Sequence, residues 1–252
     1  MAEITTPGYG TPNVEMIGRW LGLATEDDGP FWAVNLMKYR DVADYGDDRE
    51  ARISGREADD LYSPLDSLAD IGAELVFVGV VSAQARDDDV GWDRIGIVNY
   101  PSRAAFFAMQ QTDKFQKSHV HKEAGMERPI VMSCLPRSTD GTPGTDGVTA
   151  MRVLEAADDD RSGLGDYLTR AASLAETHGA TASVDFDVEG EIVGDGGRWA
   201  HVGLSRFPDQ ASIDALVADP EWRRAAGGAA VARSHSMVVE APIDRLARSV
   251  AS

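Results

Sequence analysis

The sequence predicts an α+β protein made of two ferredoxin-like βαββαβ units in one chain, and three observations carry that prediction. First, a shift of 107 positions lays GWDRIGIVNYPSRAAFFAMQQTDKFQK over RWAHVGLSRFPDQASIDALVADPEWRR. Trp92 meets Trp199, Gly96 meets Gly203, Pro101 meets Pro208, and Ala104 and Ala108 meet Ala211 and Ala215. Second, strand-like and helix-like patterns follow one another in the same order in both halves. Third, 252 residues exceed the usual size of one domain, while 43% apolar residues and only 11 prolines describe a chain able to bury a core.

In the first half, residues 31–38 alternate within a mainly apolar run and read as a buried strand. Residues 55–71 carry helical spacing and end before a glycine. Residues 74–84 and 93–100 read as strands, and Pro101-Ser102 supplies the stop and N-cap for a helix starting near Arg103. Residues 126–135 close the unit as a strand. The second half reads as strand 147–154, helix 164–178, strands 181–193 and 198–207, helix 211–233 and strand 237–242. Gly179 suits the C′ position of the first of these helices, and Pro220 kinks or interrupts the second.

The expected organisation is an N-terminal extension over 1–27, a first ferredoxin-like domain over 28–137, a linker over 138–146 and a second domain over 147–252. The turn-rich STDGTPGTDG has almost nothing apolar to bury and marks the boundary. Val34-Asn35-Leu36 matches Met151-Arg152-Val153 only at a shift of 117, so the first copy carries about ten extra residues, placed in the acidic stretch from Asp41. A solvated insertion is the simpler reading of that stretch, and a lid the alternative. Each sheet leaves one face uncovered, and two copies can pack these faces as a barrel-like core within one molecule or across a dimer.

Charge narrows the function classes. The balance of 24 basic and 42 acidic residues gives −18, a field that repels phosphate backbones and anionic lipid, so neither nucleic acid nor membrane is an expected partner. Much of the acidity sits in the insertion, the linker and turns such as Asp87–Asp89 and Asp158–Asp160. A single cysteine, Cys134, cannot form an intrachain disulfide, and the start MAEITTPGYGTP lacks the basic and apolar regions of a signal peptide; a cytoplasmic protein is expected. There is no P-loop, G-x-G-x-x-G, H-E-x-x-H, C-x-x-C or G-x-S-x-G motif.

The runs FWAVNLMKYRDVADY, SGREADDLY, AELVFVGVV and GWDRIGIVNYPSRAAFFAMQQTDKFQ carry a family likeness. Through N-L-M-K-Y, W-D-R, Y-P-S and D-K-F, residues 28–137 resemble the DUF1330 family of the dimeric α/β-barrel superfamily. In the second copy the likeness survives only as W-A-H, R-F-P and D-P-E-W. The resemblance implies a dimeric α/β-barrel arrangement and a homo-oligomer, a dimer. Relatives in that superfamily include cofactor-free monooxygenases, isomerases, decarboxylating lyases and haem-binding chlorite dismutases.

The candidate chemistry rests on polar residues placed by strand and helix period. His119 and His121 in KSHVH lie roughly 200° apart on a helix, so they cannot share a metal ion, and no metal is expected. His119 follows Phe115 by one turn and is a candidate proton acceptor; a helix-terminal histidine meeting the dipole and solvent is the simpler reading. His201 falls at the position of Arg94, each between a tryptophan and a glycine: Trp92-Arg94-Gly96 and Trp199-His201-Gly203. Arg94 would stabilise a carboxylate or enolate and His201 would move a proton, or both are long polar residues near a strand entrance.

Asn35, Tyr62, Trp92, Phe107 and Trp199 complete the candidate substrate contacts. Asn35 either ties strand ends together or presents its amide to substrate. Lys38, Tyr39 and Arg40 read as a surface cluster, Asp185 and Asp187 as charges protecting an edge strand, and Phe115 and Trp222 as core. Together these residues predict an enzyme that acts by proton transfer, without nucleotide or metal, on a small apolar carbonyl or phenolic compound. The alternatives are haem binding through His201 or His235, and a non-catalytic small-molecule-binding module.

Overall fold

The computed structural model describes residues 10–46, 52–84, 90–141, 146–157, 162–226 and 228–251. Its elements are β1 (Thr11–Pro12), α1 (Val14–Leu21), β2 (Phe31–Tyr39), α2 (Gly55–Leu61), α3 (Leu65–Asp70), β3 (Glu74–Gln84), β4 (Arg94–Tyr100), α4 (Arg103–Gln110), α5 (Asp113–Gly125) and β5 (Met126–Gly141). There follow β6 (Val148–Ala156), α6 (Ser162–Thr177), β7 (Ala182–Gly194), β8 (Trp199–Phe207), α7 (Gln210–Ala218), α8 (Pro220–Ala226), β9 (Val231–Asp244) and α9 (Leu246–Ala251). The fold is α+β. Strands hydrogen-bond in the order β1-β7-β5-β2-β4-β3-β9-β6-β8, and β7 also pairs with β8, so the antiparallel ladder of the eight long strands closes on itself. Closure leaves β7 paired on both sides, so Asp185 and Asp187 do not guard an edge.

Local signals decide where most elements start and stop. The Ser102 hydroxyl accepts a hydrogen bond from the Ala105 amide at 3.0 Å, and the Asp209 carboxylate from the Ser212 amide at 2.9 Å, so α4 and α7 start on side-chain caps at equivalent positions. Gly179 adopts φ 92°, and beyond it the Ala180 amide donates back to the Ala175 carbonyl at 2.9 Å, closing α6.

Three expected elements differ. The helix expected over 55–71 is two, because Pro64 lacks an N–H and keeps Ser63 out of the helical region. The helix expected to reach Arg233 is broken before Pro220 and stops at Ala226; Gly227-Gly228 lowers helix propensity there, and residues 231–233 pair with β6 instead. The closing strand of the first half runs six residues past Leu135 to Gly141, where Arg137 and Ser138 bond Asp187 and Asp185. The first nine residues, the middle of the acidic insertion, the linker centre and the turns at Asp87–Asp89 and Asp158–Asp160 lie outside the described residues.

The described residues form two compact units that interleave along the chain. The first takes the residues up to Leu75, Trp92–Ser133 and Glu191–Gly196. Its core is aromatic: Trp20 of α1 packs on Phe31 with centroids 5.2 Å apart, Phe31 stacks on Tyr100 at 5.2 Å, and the Arg103 guanidinium covers Phe31 at 5.1 Å. The residue after β2 ties both helices to the strand. The Arg40 amide donates to the Gly125 carbonyl at 2.9 Å, and the Gly55 amide donates to the Arg40 carbonyl at 2.9 Å.

The second unit takes the described residues of Val76–Gly91, Cys134–Gly190 and Gly197–Ser252. There β6 lies between β8 and β9, α6 buries Leu164, Tyr167 and Ala171 against Leu154 and Ala200, and α7 buries Ile213 and Leu216 with Phe207 and Val238. Cys134 is fully buried. Among the described residues no helix is long and apolar enough to cross a membrane.

Where α2 meets α5, a methyl group on Gly55 would collide with the Gly125 carbonyl and lie 2.6 Å from that of Arg40. Gly18, inside α1, has nothing within 4 Å of the same added atom. Gly55→Ala is therefore expected to lower unfolding free energy by about 1–3 kcal/mol. Gly18→Ala should raise it by roughly 0.5–1 kcal/mol through helix propensity. Denaturant titration of the two variants checks both signs.

Candidate functional site

The first unit gathers most of the ionisable candidates where β2 and β4 run beneath α2 and α5. Phe31, Ala33, Asn35, Met37 and Tyr39 alternate along β2, and the ladder sets Asn35 opposite Gly96 and Met37 opposite Arg94. A Cβ on Gly96 would touch only the Met37 methyl, at 3.5 Å, so this glycine leaves room beside Asn35.

Arg94 is a clamp rather than a waiting anion receptor. Its Nη1 donates to Asp59 Oδ2 at 2.8 Å and its Nη2 to Asp60 Oδ1 at 2.8 Å, which ties β4 to α2. The Tyr39 hydroxyl donates to the same Asp59 oxygen at 2.6 Å. Burial, reinforced by the Asp59 charge, pushes the Tyr39 phenol far above its ordinary pKa, so it stays protonated. Of the expected surface cluster Lys38, paired with Asp93 at 3.3 Å, and Arg40 are semi-exposed, whereas Tyr39 is buried. Tyr39 falls two residues from Met37 on the apolar alternation, which was the available signal.

His119, Lys122, Tyr62 and Asn35 form a second group. The His119 imidazole stacks on Phe115 with centroids 4.8 Å apart and meets Tyr62 edge-on at 5.9 Å. Helix α5 continues six residues beyond it, so His119 is not helix-terminal. Burial, with the Lys122 charge adding to it, lowers its pKa to about 4, leaving a neutral imidazole at neutral pH. Lys122 lies one turn further on, its amine 5.3 Å from the Tyr62 ring centroid and 3.4 Å from Asn35 Oδ1. Burial lowers its pKa too. Asn35 meanwhile donates to the carbonyls of Ala33 at 3.1 Å and Gly96 at 3.3 Å, so it ties strands and orients Lys122 together. His121 turns away, bonded to Tyr45 at 2.7 Å.

The remaining candidates lie elsewhere. Phe107 meets Trp20 and Phe106 in the aromatic core, and Trp92 is buried. In the second unit a bulge sets Trp199 opposite Glu155 and His201 opposite Leu154. Trp199 packs on His235 at 4.8 Å beneath the Arg233 guanidinium at 4.2 Å, while His201 Nε2 lies 3.0 Å from Asp185 Oδ1. A Cβ on Gly203 would lie 2.9 Å from that nitrogen and 3.0 Å from that oxygen, so this glycine makes room for the His–Asp pair. Trp222, on α8, carries the Arg152 guanidinium 4.6 Å from its ring. Among the described residues no group of three or more His, Cys, Asp or Glu is arranged to hold a metal ion.

Sequence reading missed Asp59 and Lys122. Lys122 shares the helical stripe of Phe115 and His119, which spacing could have given; Asp59 needed the Arg94 contact, which only the tertiary fold supplies.

No protein-family model and no curated protein matches the sequence. Among solved structures, an anthrone oxidase-like protein matches with a TM-score of 0.56 at 16% identity, over 86% of this chain and 93% of its own. A mutant chlorite dismutase from Candidatus Nitrospira defluvii matches at 0.50 and 10% identity, over 93% and 99%. A protein of unknown function from Rhodopseudomonas palustris is 24% identical, with a TM-score of 0.44, over 52% of this chain and 98% of its own. The likeness to the first two of these is one of fold alone. Haem, the alternative expected from the sequence, does not fit His201 or His235. His201 is 1% exposed with its Nε2 on Asp185 and its Nδ1 closed off from solvent, and the His235 ring is buried against Trp199. Neither offers a nitrogen to an approaching iron.

Removing Asp59 would leave the Arg94 guanidinium and the Tyr39 hydroxyl short of their shared acceptor. Asp59→Ala is expected to cost about 3 kcal/mol or more of unfolding free energy. Asp60→Ala removes an exposed partner and should cost under about 1 kcal/mol. Chemical denaturation of the two variants side by side distinguishes them.

Proposed function

We propose that this protein is a small-molecule enzyme that works by proton transfer on a small, largely apolar carbonyl or phenolic compound, with the site on the β2–β4 ladder of the first unit. The observation that carries the reading is a neutral histidine one turn from a desolvated lysine: His119 and Lys122, aligned by Phe115, Tyr62 and Asn35. A base kept unprotonated by burial takes a proton from carbon or oxygen without first losing one itself. The released electron pair moves onto the carbonyl or phenolic oxygen, where Lys122 donates a hydrogen bond to the developing charge. Reprotonation at another carbon gives an isomerase, bond cleavage a lyase, and capture of dioxygen by the carbanion a monooxygenase.

In this assignment His119 is the base and Lys122 the anion stabiliser. Arg94 is a positioning residue, holding α2 and hence Tyr62 over the ladder through Asp59. Tyr62 and Asn35 contact substrate or orient Lys122, and His201 belongs to a structural pair with Asp185. The DUF1330-like motifs of residues 28–137 fall on the elements that build this site, which supports that finer family reading. A tandem duplication is supported by the strand orders β5-β2-β4-β3 and β9-β6-β8-β7, each the order of a split βαβ plan. A homo-oligomer, as in other proteins of this fold, goes with the same proposal.

A substrate panel of anthrone-type tricyclic phenols, simple phenols and 1,3-dicarbonyls tests the assignment, the first class suggested by the anthrone oxidase-like protein of similar fold. His119→Ala is expected to lower kcat/KM by about 10²–10⁴, and Lys122→Met by about tenfold or more. Because the His119 pKa lies at about 4 rather than 6.5, wild-type kcat/KM should persist as pH falls through 6 and drop only as it approaches about 4. Turnover unchanged in His119→Ala would remove the proposal.

A further inference from the structure

Helices α6 and α8 of the second unit do not meet backbone to backbone as α2 and α5 of the first unit do. In the first unit α2 and α5 meet backbone to backbone at Gly55 and Gly125. In the second, α8 has 7 residues where α5 has 13, and a cleft of about 620 Å³ opens beside the packing of α6 on α8, lined by both helices and the residues that follow α8. That volume lies within the range of small-ligand sites, about 300–1,000 Å³.

The walls of the cleft are chemically uneven. Its α6 side presents Asp166, Tyr167 and Arg170, one helical stripe at i, i+1 and i+4. The opposite side is small and apolar at Ala225, Gly228, Ala229 and Ala230, with the charged Glu221 and Arg224 along its α8 edge. Tyr167 is buried and its phenol oxygen accepts a hydrogen bond from Arg152, whose guanidinium lies between the Tyr167 and Trp222 rings, 5.5 and 4.6 Å from their centroids. Tyr167 is therefore held fixed at the back of the cleft. Of the two arginines at the cleft, Arg224 has Glu221 at 3.7 Å, whereas Arg170 makes no ion pair or hydrogen bond among the described residues. Asp166, one turn before Arg170, is likewise uncommitted among the described residues.

We propose that this cleft binds a small aromatic monocarboxylate carrying a hydroxyl group. The ring lies between Tyr167 and the alanine wall, the carboxylate meets the Arg170 fork, and the hydroxyl donates to Asp166. Guanidinium and carboxylate match in a bidentate geometry, which selects a carboxylate over a neutral ring. The neighbouring Asp166 charge disfavours a second anionic group on the same ligand. The site is separate from His119 and does not depend on the reaction assigned to it.

Calorimetric titration of the full chain with 4-hydroxybenzoate, benzoate and 4-hydroxybenzyl alcohol tests the proposal. Saturable one-site binding is expected in the order hydroxybenzoate, benzoate, alcohol. Arg170→Gln should weaken hydroxybenzoate binding about tenfold or more, and Asp166→Asn should narrow its advantage over benzoate. Ala225→Phe, which fills the cleft, should abolish binding, while His119→Ala should leave it unchanged. Arg170 is exposed, so its variant keeps the wild-type melting temperature and a loss of binding reads on the site. No saturable binding of either carboxylate, or equal binding by wild type, Arg170→Gln and Ala225→Phe, would overturn it.

Discussion

The backbone of Arg40 is the junction on which the first unit depends. Leaving β2, it gives its amide to the carbonyl that ends α5 and its carbonyl to the amide that starts α2, so one peptide residue fixes two helices against one strand. These hydrogen bonds bring Gly55 and Gly125 into backbone contact, where a side chain on either would intrude. The consequence reaches the chemistry. Helix α2 carries Asp59, the acceptor for Arg94 and Tyr39, and the residue closing it is Tyr62; α5 carries His119 and Lys122. Holding the helices this close puts a carboxylate, a phenol, an imidazole and an amine over the same two strands.

Within that frame, burial assigns the roles. Desolvation penalises the charged form of both His119 and Lys122; the Asp59 charge offsets only part of it at Lys122, and Glu123 stands 3.9 Å from the imidazole. Arg94 is the opposite case. Its charge is met by two carboxylates, which makes it a rigid fastening and an unsuitable receptor for a further anion. The same two-strand ladder thus carries an ion cluster that holds geometry beside a desolvated base and donor, which can do work. In the second unit the corresponding strand position is His201, spent on Asp185 over the space that Gly203 leaves open.

Much of the fold was legible because its signals are local. Ser102 and Asp209 announce helix starts by side-chain capping, Gly179 announces an end by its positive φ, and alternation along 31–39 and 199–207 announces strands. The misreadings have local causes as well: Pro64 inside a helical pattern, and Gly227-Gly228 ahead of a strand that begins at Val231. The site was legible only in part. His119, Tyr62 and Asn35 could be placed by period, and the structure brings them together through Lys122. Ion-pair partners are chosen across 34 or 35 residues of sequence, as between Arg94 and Asp59 or Asp60, and no periodicity encodes that choice. The β8 bulge likewise shifts Trp199 and His201 out of the simple alternation that made them look like one constellation.

The central claim is that burial keeps His119 neutral beside Lys122 so that it can act as a base. Titration of the His119 ring carbons by NMR, assigned with His119→Gln, measures this in the intact chain. The account predicts a midpoint near 4, well under the ordinary 6.5, and an upward shift when the neighbouring charge is removed in Lys122→Met. A midpoint at 6.5 or above, unmoved by Lys122→Met, would contradict it.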